Sequence, residues 1–103
     1  MIKLMTLPVI TVSVGGTAVQ VSTDVIAVTS LTLQAAFNNT GKVVVGDSTV
    51  TPAIGMEVPP GDTVTITADN ISKGSEEFLL SEVWINSSTA GNTVRAAAFR
   101  RKP

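Results

Sequence analysis

The residues of this chain that could carry out chemistry are a few carboxylates, the serines and one lysine behind a glycine. Asp69, Glu76, Glu77 and Glu82 stand close together in sequence and could offer oxygens to calcium. A calcium loop alternates Asp or Asn about a central Gly, and that spacing is absent, so a solvated acidic loop is the simpler reading. The same carboxylates could form an acid/base pair for glycoside cleavage, but no polar constellation or aromatic sugar platform accompanies them. Gly41-Lys42 suggests phosphate binding. That motif needs a Gly five residues before its second Gly and a hydroxyl residue after the Lys, and Ala36 and Val43 stand there instead. Serines are plentiful, yet there is no histidine to activate one and no G-x-S-x-G. With no His, Cys or Tyr, the chain lacks the commonest general base, thiolate metal ligands and a phenol acid. These residues therefore predict no enzyme, no metal and no cofactor.

The elements that would have to position any site are strands. Val, Ile and Thr supply 36 of 103 residues, and their stiff branched side chains suit a pleated surface better than a helix. At this length the chain is one domain, 1–103, able to bury a real core without staples. A net charge of −1 gives no global field to steer nucleic acid or an anionic membrane. No run of about 18 apolar residues spans a membrane. The first sixteen residues look like a leader peptide, but Thr6, Pro8, Thr11 and Ser13 break the apolar run and no small-residue cleavage site follows, so none is predicted.

Residues 38–66 read as strand, turn, strand, turn, strand, and the rest is arranged about them. Asn39-Thr40-Gly41 turns into the apolar run 42–46, Asp47-Ser48 breaks it, 55–58 is short and extended, and Pro59-Pro60-Gly61-Asp62 turns into the alternating 63–67. Before this stretch, Ile10, Val12 and Val14 share a face, and Gly15-Gly16-Thr17 is a hairpin signal leading to Val19 and Val21. Residues 25–29 form a short strand, and Leu31, Leu33, Ala35 and Phe37 then share a face. After it, 68–74 is a polar loop, and 75–80 is either one helical turn or the lead-in to a strand. Val83 and Ile85 oppose Glu82 and Trp84, and 87–92 is a long turn. In the last strand Val94, Ala96 and Ala98 oppose Arg95, Ala97 and Phe99. About eight short strands with turns every 8–12 residues predict an antiparallel β-sandwich, jelly-roll-like or immunoglobulin-like.

Residues suited to a partner are fewer. Trp84, the one tryptophan, either packs under a loop or anchors a partner subunit. Arg95 and the basic tail 100–103 carry four of the seven cations, whereas seven of the eight acids lie between Asp47 and Glu82, a dipole able to mate with a neighbouring copy. The three Asn-x-Ser/Thr sites, at Asn38, Asn70 and Asn86, fall in or beside turns, where such residues gather anyway.

The order of motifs resembles a group of small β-sandwich virion proteins of tailed bacteriophages. The matching pieces are Ser30-Leu31-Thr32-Leu33-Gln34-Ala35, then Asn39-Thr40-Gly41-Lys42-Val43-Val44-Val45-Gly46, then Gly55 with Val58-Pro59-Pro60-Gly61-Asp62. The closing pieces are Leu80-Ser81-Glu82-Val83-Trp84-Ile85 and Ala90-Gly91-Asn92-Thr93-Val94-Arg95. They span about residues 30–99 and consist of turn chemistry and alternation. The family pattern often carries Tyr where Val44 and Trp84 stand here, and residues 1–29 fall outside it. The resemblance implies a structural protein of the virion, above all a capsid decoration or cement protein. Such a protein sits on the outer surface of the head and bridges subunits of the major capsid protein. The alternative it implies is a receptor- or carbohydrate-binding module or adaptor of a tail or fibre. A Val- and Thr-rich sandwich has edges to cover, which fits a homo-oligomer, with a homotrimer suiting three-fold positions of a shell. The interface residues expected are Met1, Ile2 and Leu4 in a possible N-terminal arm (1–8), with Trp84, Arg95, Arg100 and Arg101.

Overall fold

The computed structural model describes residues 2–67 and 77–101. Among the described residues the chain forms eleven strands: β1 (Ile2–Thr6), β2 (Ile10–Thr11), β3 (Val19–Gln20), β4 (Ala27–Val28), β5 (Ser30–Ala35), β6 (Val43–Gly46), β7 (Met56–Val58), β8 (Thr63–Thr67), β9 (Phe78–Leu79), β10 (Trp84–Asn86) and β11 (Thr93–Arg101). All pairings are antiparallel. One sheet runs β1-β11-β5-β8, with β2 beside β1 on the same edge of β11; a second runs β3-β10-β6-β7; β4 and β9 form a small third. The fold is an all-β sandwich, as the alternation predicts.

Alternation decides which side chains meet between the sheets. Leu31, Leu33 and Ala35 of β5, Val94 and Ala98 of β11 and Ile66 of β8 join Val43 and Val45 of β6, Val58 of β7 and Ile85 of β10 in one buried cluster. Ile10 of β2 extends it, as do Val12, Val21 and Val83 from the connections. Ala96 and Ala98, opposite Leu33 and Leu31, pair small with large and let the sheets interdigitate.

The run Val43-Val44-Val45 is buried on both faces. Its outward side chain, Val44, lies against Gly55 at the end of the 47–55 connection, where a Cβ would come within 2.5 Å of Val44 Cγ1 and 2.8 Å of the Val45 carbonyl oxygen. A strand covered on both faces loses the polar half of its alternation, which is why these three residues read as an unbroken apolar run.

Three expectations are corrected. Gly15-Gly16-Thr17 does turn the chain, with Thr17 N donating to Val14 O at 3.1 Å, but β2 and β3 belong to different sheets, so it is a crossover and not a hairpin. Val14 is 60% exposed because the strand ends before it, and Phe37 is 84% exposed because β5 ends at Ala35 and a turn follows. Of the segment 75–80, read as helical turn or lead-in, the described part is the short strand β9, and a single 3-10 turn, Leu80–Glu82, begins only at its last residue; Ser75 and Glu76 lie outside the described residues.

Candidate interaction faces

The crossovers between sheets meet at one end of the sandwich and are tied by side-chain amides. Asn39 Nδ2 donates to Thr93 O at 2.9 Å while Thr93 N donates to Asn39 Oδ1 at 2.8 Å. Asn92 answers in kind: Thr40 N donates to its Oδ1 at 2.8 Å, and its Nδ2 donates to Thr40 O at 2.9 Å. Two Asn-Thr dipeptides thus clasp each other, each amide standing in for a strand backbone. Asn92 Nδ2 also donates to Ser87 Oγ at 2.8 Å, and Ser87 Oγ to Lys42 O at 3.3 Å. Asn86 Nδ2 bonds Val50 O at 3.0 Å and Gly16 O at 3.3 Å. Asn86, Ser87 and Asn92 are buried and fully partnered. Their work is structural, which takes Asn86 out of consideration as a glycan acceptor.

The outer face of the larger sheet carries two of the expected interface residues, Leu4 and Arg95, and adds Phe99, which was not expected. Leu4 lies directly opposite Phe99, so their side chains share a face, 55% and 43% exposed respectively. The next row holds Thr6, Ala97, Thr32 and Thr65, with the two hydroxyls of Thr32 and Thr65 3.1 Å apart. Beyond it stand Arg95, Gln34 and Thr63. No carboxylate occurs in the strands of this sheet; their charged residues are Lys3, Arg95, Arg100 and Arg101. Lys3 lies directly opposite Arg100, a like-charge pairing that is unfavourable by itself; alternation turns both to the side of the sheet away from Leu4 and Phe99. Among the described residues the one ion pair is Lys42 with Glu57, at the far sheet.

The arm and tail of the sequence reading meet here: Ile2–Thr6 is an edge strand in register with Ala97–Arg101. Ile2 and Arg101 are described through that backbone pairing, and Met1 lies outside the described residues. Trp84 is elsewhere. It sits half-buried on β10 of the other sheet, between Gln20 and Gly46. The expected interface residues are therefore split between the two sheets.

Two recesses flank these faces. One, about 250 Å3, opens between β6–β7 and β8; Val45, Met56, Ile66, Phe78 and Val83 line it, with Asp47 and Glu82 among its walls. Thr49 donates to Asp47 Oδ1 from its hydroxyl at 2.5 Å and its backbone N at 2.8 Å. The hydroxyl bond first and the backbone bond second hold that carboxyl below the ordinary aspartate range. The other, about 400 Å3 and half open, is lined by Gln34, Ala36, Phe37, Asn38 and Arg95. Phe37 was read as core, so this recess was not foreseen; the signal for it was the Asn-Asn-Thr-Gly turn that follows Phe37 immediately.

Asp69 and Glu76 lie outside the described residues, Glu77 and Glu82 are exposed, and among the described residues no three candidate ligands cluster. No helix among the described residues is long and apolar enough to cross a membrane. Comparison with protein-family models, with curated proteins and with solved structures finds no match to this chain.

Proposed function

We propose that this protein is a non-enzymatic structural component of a phage particle that coats the outer surface of the head and bridges neighbouring copies of the major capsid protein. The observation that supports it best is the larger sheet's outer side, whose strands carry no carboxylate and which bears the exposed Leu4–Phe99 pair in the same facing as Arg95. A sheet face with an exposed apolar pair, an arginine and no strand carboxylate fits a partner surface that is apolar at its centre and acidic around it. The resemblance in motif order is what directs the reading to the virion and to the capsid.

The test is co-sedimentation of the purified protein with heads that lack it, bound copies being counted by quantitative mass spectrometry. Saturation in proportion to the capsid subunits is the expected outcome, with binding lost in L4E/F99E. A handful of copies per particle would move the protein to the neck, tail or fibre, and no binding would overturn the reading.

A further inference from the structure

The exposed ring of Phe37 has no account in the packing of the sandwich. A surplus apolar side chain in a turn would be expected to fold back or to be loosely held. Phe37 is instead fixed outward. Asn39 N donates to Ala36 O at 3.1 Å, Ala36 N to Thr93 O at 3.2 Å, and the Asn39 amide clasps Thr93. The Cδ1–Cε1 edge of the ring rests on Gly61, where a Cβ would lie 2.7 Å from Cε1. The backbone that presents the ring is thus set before any ligand arrives, which lessens the ordering that would oppose binding.

Around the ring stand donors of a particular kind. Gln34 and Asn38 present amides and Arg95 a guanidinium, and Arg95 is the one ionised residue lining the recess. Arg95 and Gln34 are directly opposite each other on β11 and β5. Among the described residues Arg95 has no ion pair. An exposed aromatic face accepts the C–H side of a pyranose ring, amides of either polarity match its hydroxyls, and a guanidinium fork matches a carboxylate.

We infer that the recess formed by Phe37, Gln34, Asn38 and Arg95 is a binding site for an acidic sugar, a uronic acid within a glycan, stacked on Phe37 with its carboxylate on Arg95. The site faces away from Trp84 and is independent of the capsid reading, because it can be tested on the isolated protein.

The probe is a glucuronic-acid-containing oligosaccharide, titrated into the isotope-labelled protein and followed by amide chemical shifts; its control is the same oligosaccharide with each carboxyl reduced to an alcohol. Shifts centred on residues 34–40 and 95 are expected, with affinity falling roughly five-fold on carboxyl reduction, the size of an exposed charge pair. F37A is expected to lose binding at least ten-fold while its amide spectrum stays folded, R95Q to bind both probes alike, and W84A to bind as the parent does. No shifts up to the solubility limit of the probe, equal affinity for the reduced probe, or undiminished binding by F37A would each overturn the inference. Failure to bind heads in the sedimentation experiment would leave it intact, so the two readings fall separately.

Discussion

Asn92→Ala is the sharpest test of what joins the two sheets. Asn92 is 2% exposed, and its amide makes three hydrogen bonds, two to Thr40 and one to Ser87 Oγ. At about 1 kcal/mol net for each bond the loss is about 3 kcal/mol. Thr40 is itself exposed, so water can replace the bonds to its backbone; Ser87 is buried and keeps no such recourse. The expected cost is therefore about 2–3 kcal/mol, a large part of the roughly 5–15 kcal/mol by which a domain of this kind is stable. Asn39→Ala removes the matching clasp from a half-buried side chain with two bonds, and about 1–2 kcal/mol is expected. Because the two clasps hold the same pair of connections, the double variant should fall short of additivity by about 0.5 kcal/mol or more. Urea denaturation monitored by Trp84 fluorescence gives the free energies, and a fall in Tm of roughly 10 °C for Asn92→Ala is the thermal counterpart. A change below about 0.5 kcal/mol for Asn92→Ala would refute the reasoning, since it would mean that solvent substitutes for the whole amide.

Gly55 and Gly91 both have positive φ, 141° and 91°, but differ in surroundings. Gly91→Ala meets nothing within 4 Å and should cost only about 1–2 kcal/mol of backbone strain. Gly55→Ala must also displace Val44 and the Val45 carbonyl, so its loss in a urea melt should clearly exceed that of Gly91→Ala, and equal losses would deny the close cover over β6. Asp47 is held below the ordinary aspartate range by Thr49, so the stability it lends is present above the unfolded-state pKa and fades as pH falls through the lower folded value. Thr49→Val, which removes the hydroxyl bond, should move the Asp47 titration midpoint upward by carboxyl NMR, and an unmoved midpoint would assign the shift to the backbone bond. Among the described residues only β6–β7 pairs consecutive strands, so stopped-flow refolding should lie in the millisecond-to-second range of non-local β topologies; microsecond refolding would contradict that topology.

Strand positions and facing were legible in this sequence because burial on one side writes a period of two. Leu31, Leu33 and Ala35, then Val83 and Ile85, then Val94 and Ala98 all face the core as their alternation demands. The extent of the strands was less legible. Val14 and Phe37 continue the pattern by one more step, yet backbone pairing has already ended there, and alternation has no means of marking where a ladder stops. Arg100 and Arg101 show the reverse error: charged residues read as a tail are the end of β11, because pairing with β1 needs only their backbone. The amides that tie the connections were the least legible. Asn39, Asn86 and Asn92 stand in sequences typical of turns, and nothing local tells an amide that faces water from one that clasps a strand on the far side of the chain.

The turns carry the same lesson about function. Gly15-Gly16-Thr17, Asn39-Thr40-Gly41, Pro59-Pro60-Gly61-Asp62 and Ala90-Gly91 each connect a strand of one sheet to a strand of the other. Turn chemistry fixes a reversal of direction, but whether the chain returns beside itself or crosses the core depends on which partner strand is free, and that is settled at long range. Crossing has a consequence that hairpins would lack. It gathers the connections 14–17, 39–42 and 86–93 at one end, where their amides lock, and it leaves Phe37 projecting from a connection that cannot relax. The opposite outcome holds at the β1 edge, where Leu4, Phe99, Lys3 and Arg100 are set by strand register and not by turns. Two surfaces of different origin thus sit on one sheet: an exposed apolar pair, Leu4 and Phe99, suited to a protein partner, and an aromatic recess suited to a ring-shaped ligand. Substitutions at Leu4 and Phe99 should leave sugar binding untouched, and substitutions at Phe37 should leave head binding untouched. If either set disturbed both activities while the protein stayed folded, the separation of the two surfaces, and with it the assignment of different partners to them, would be wrong.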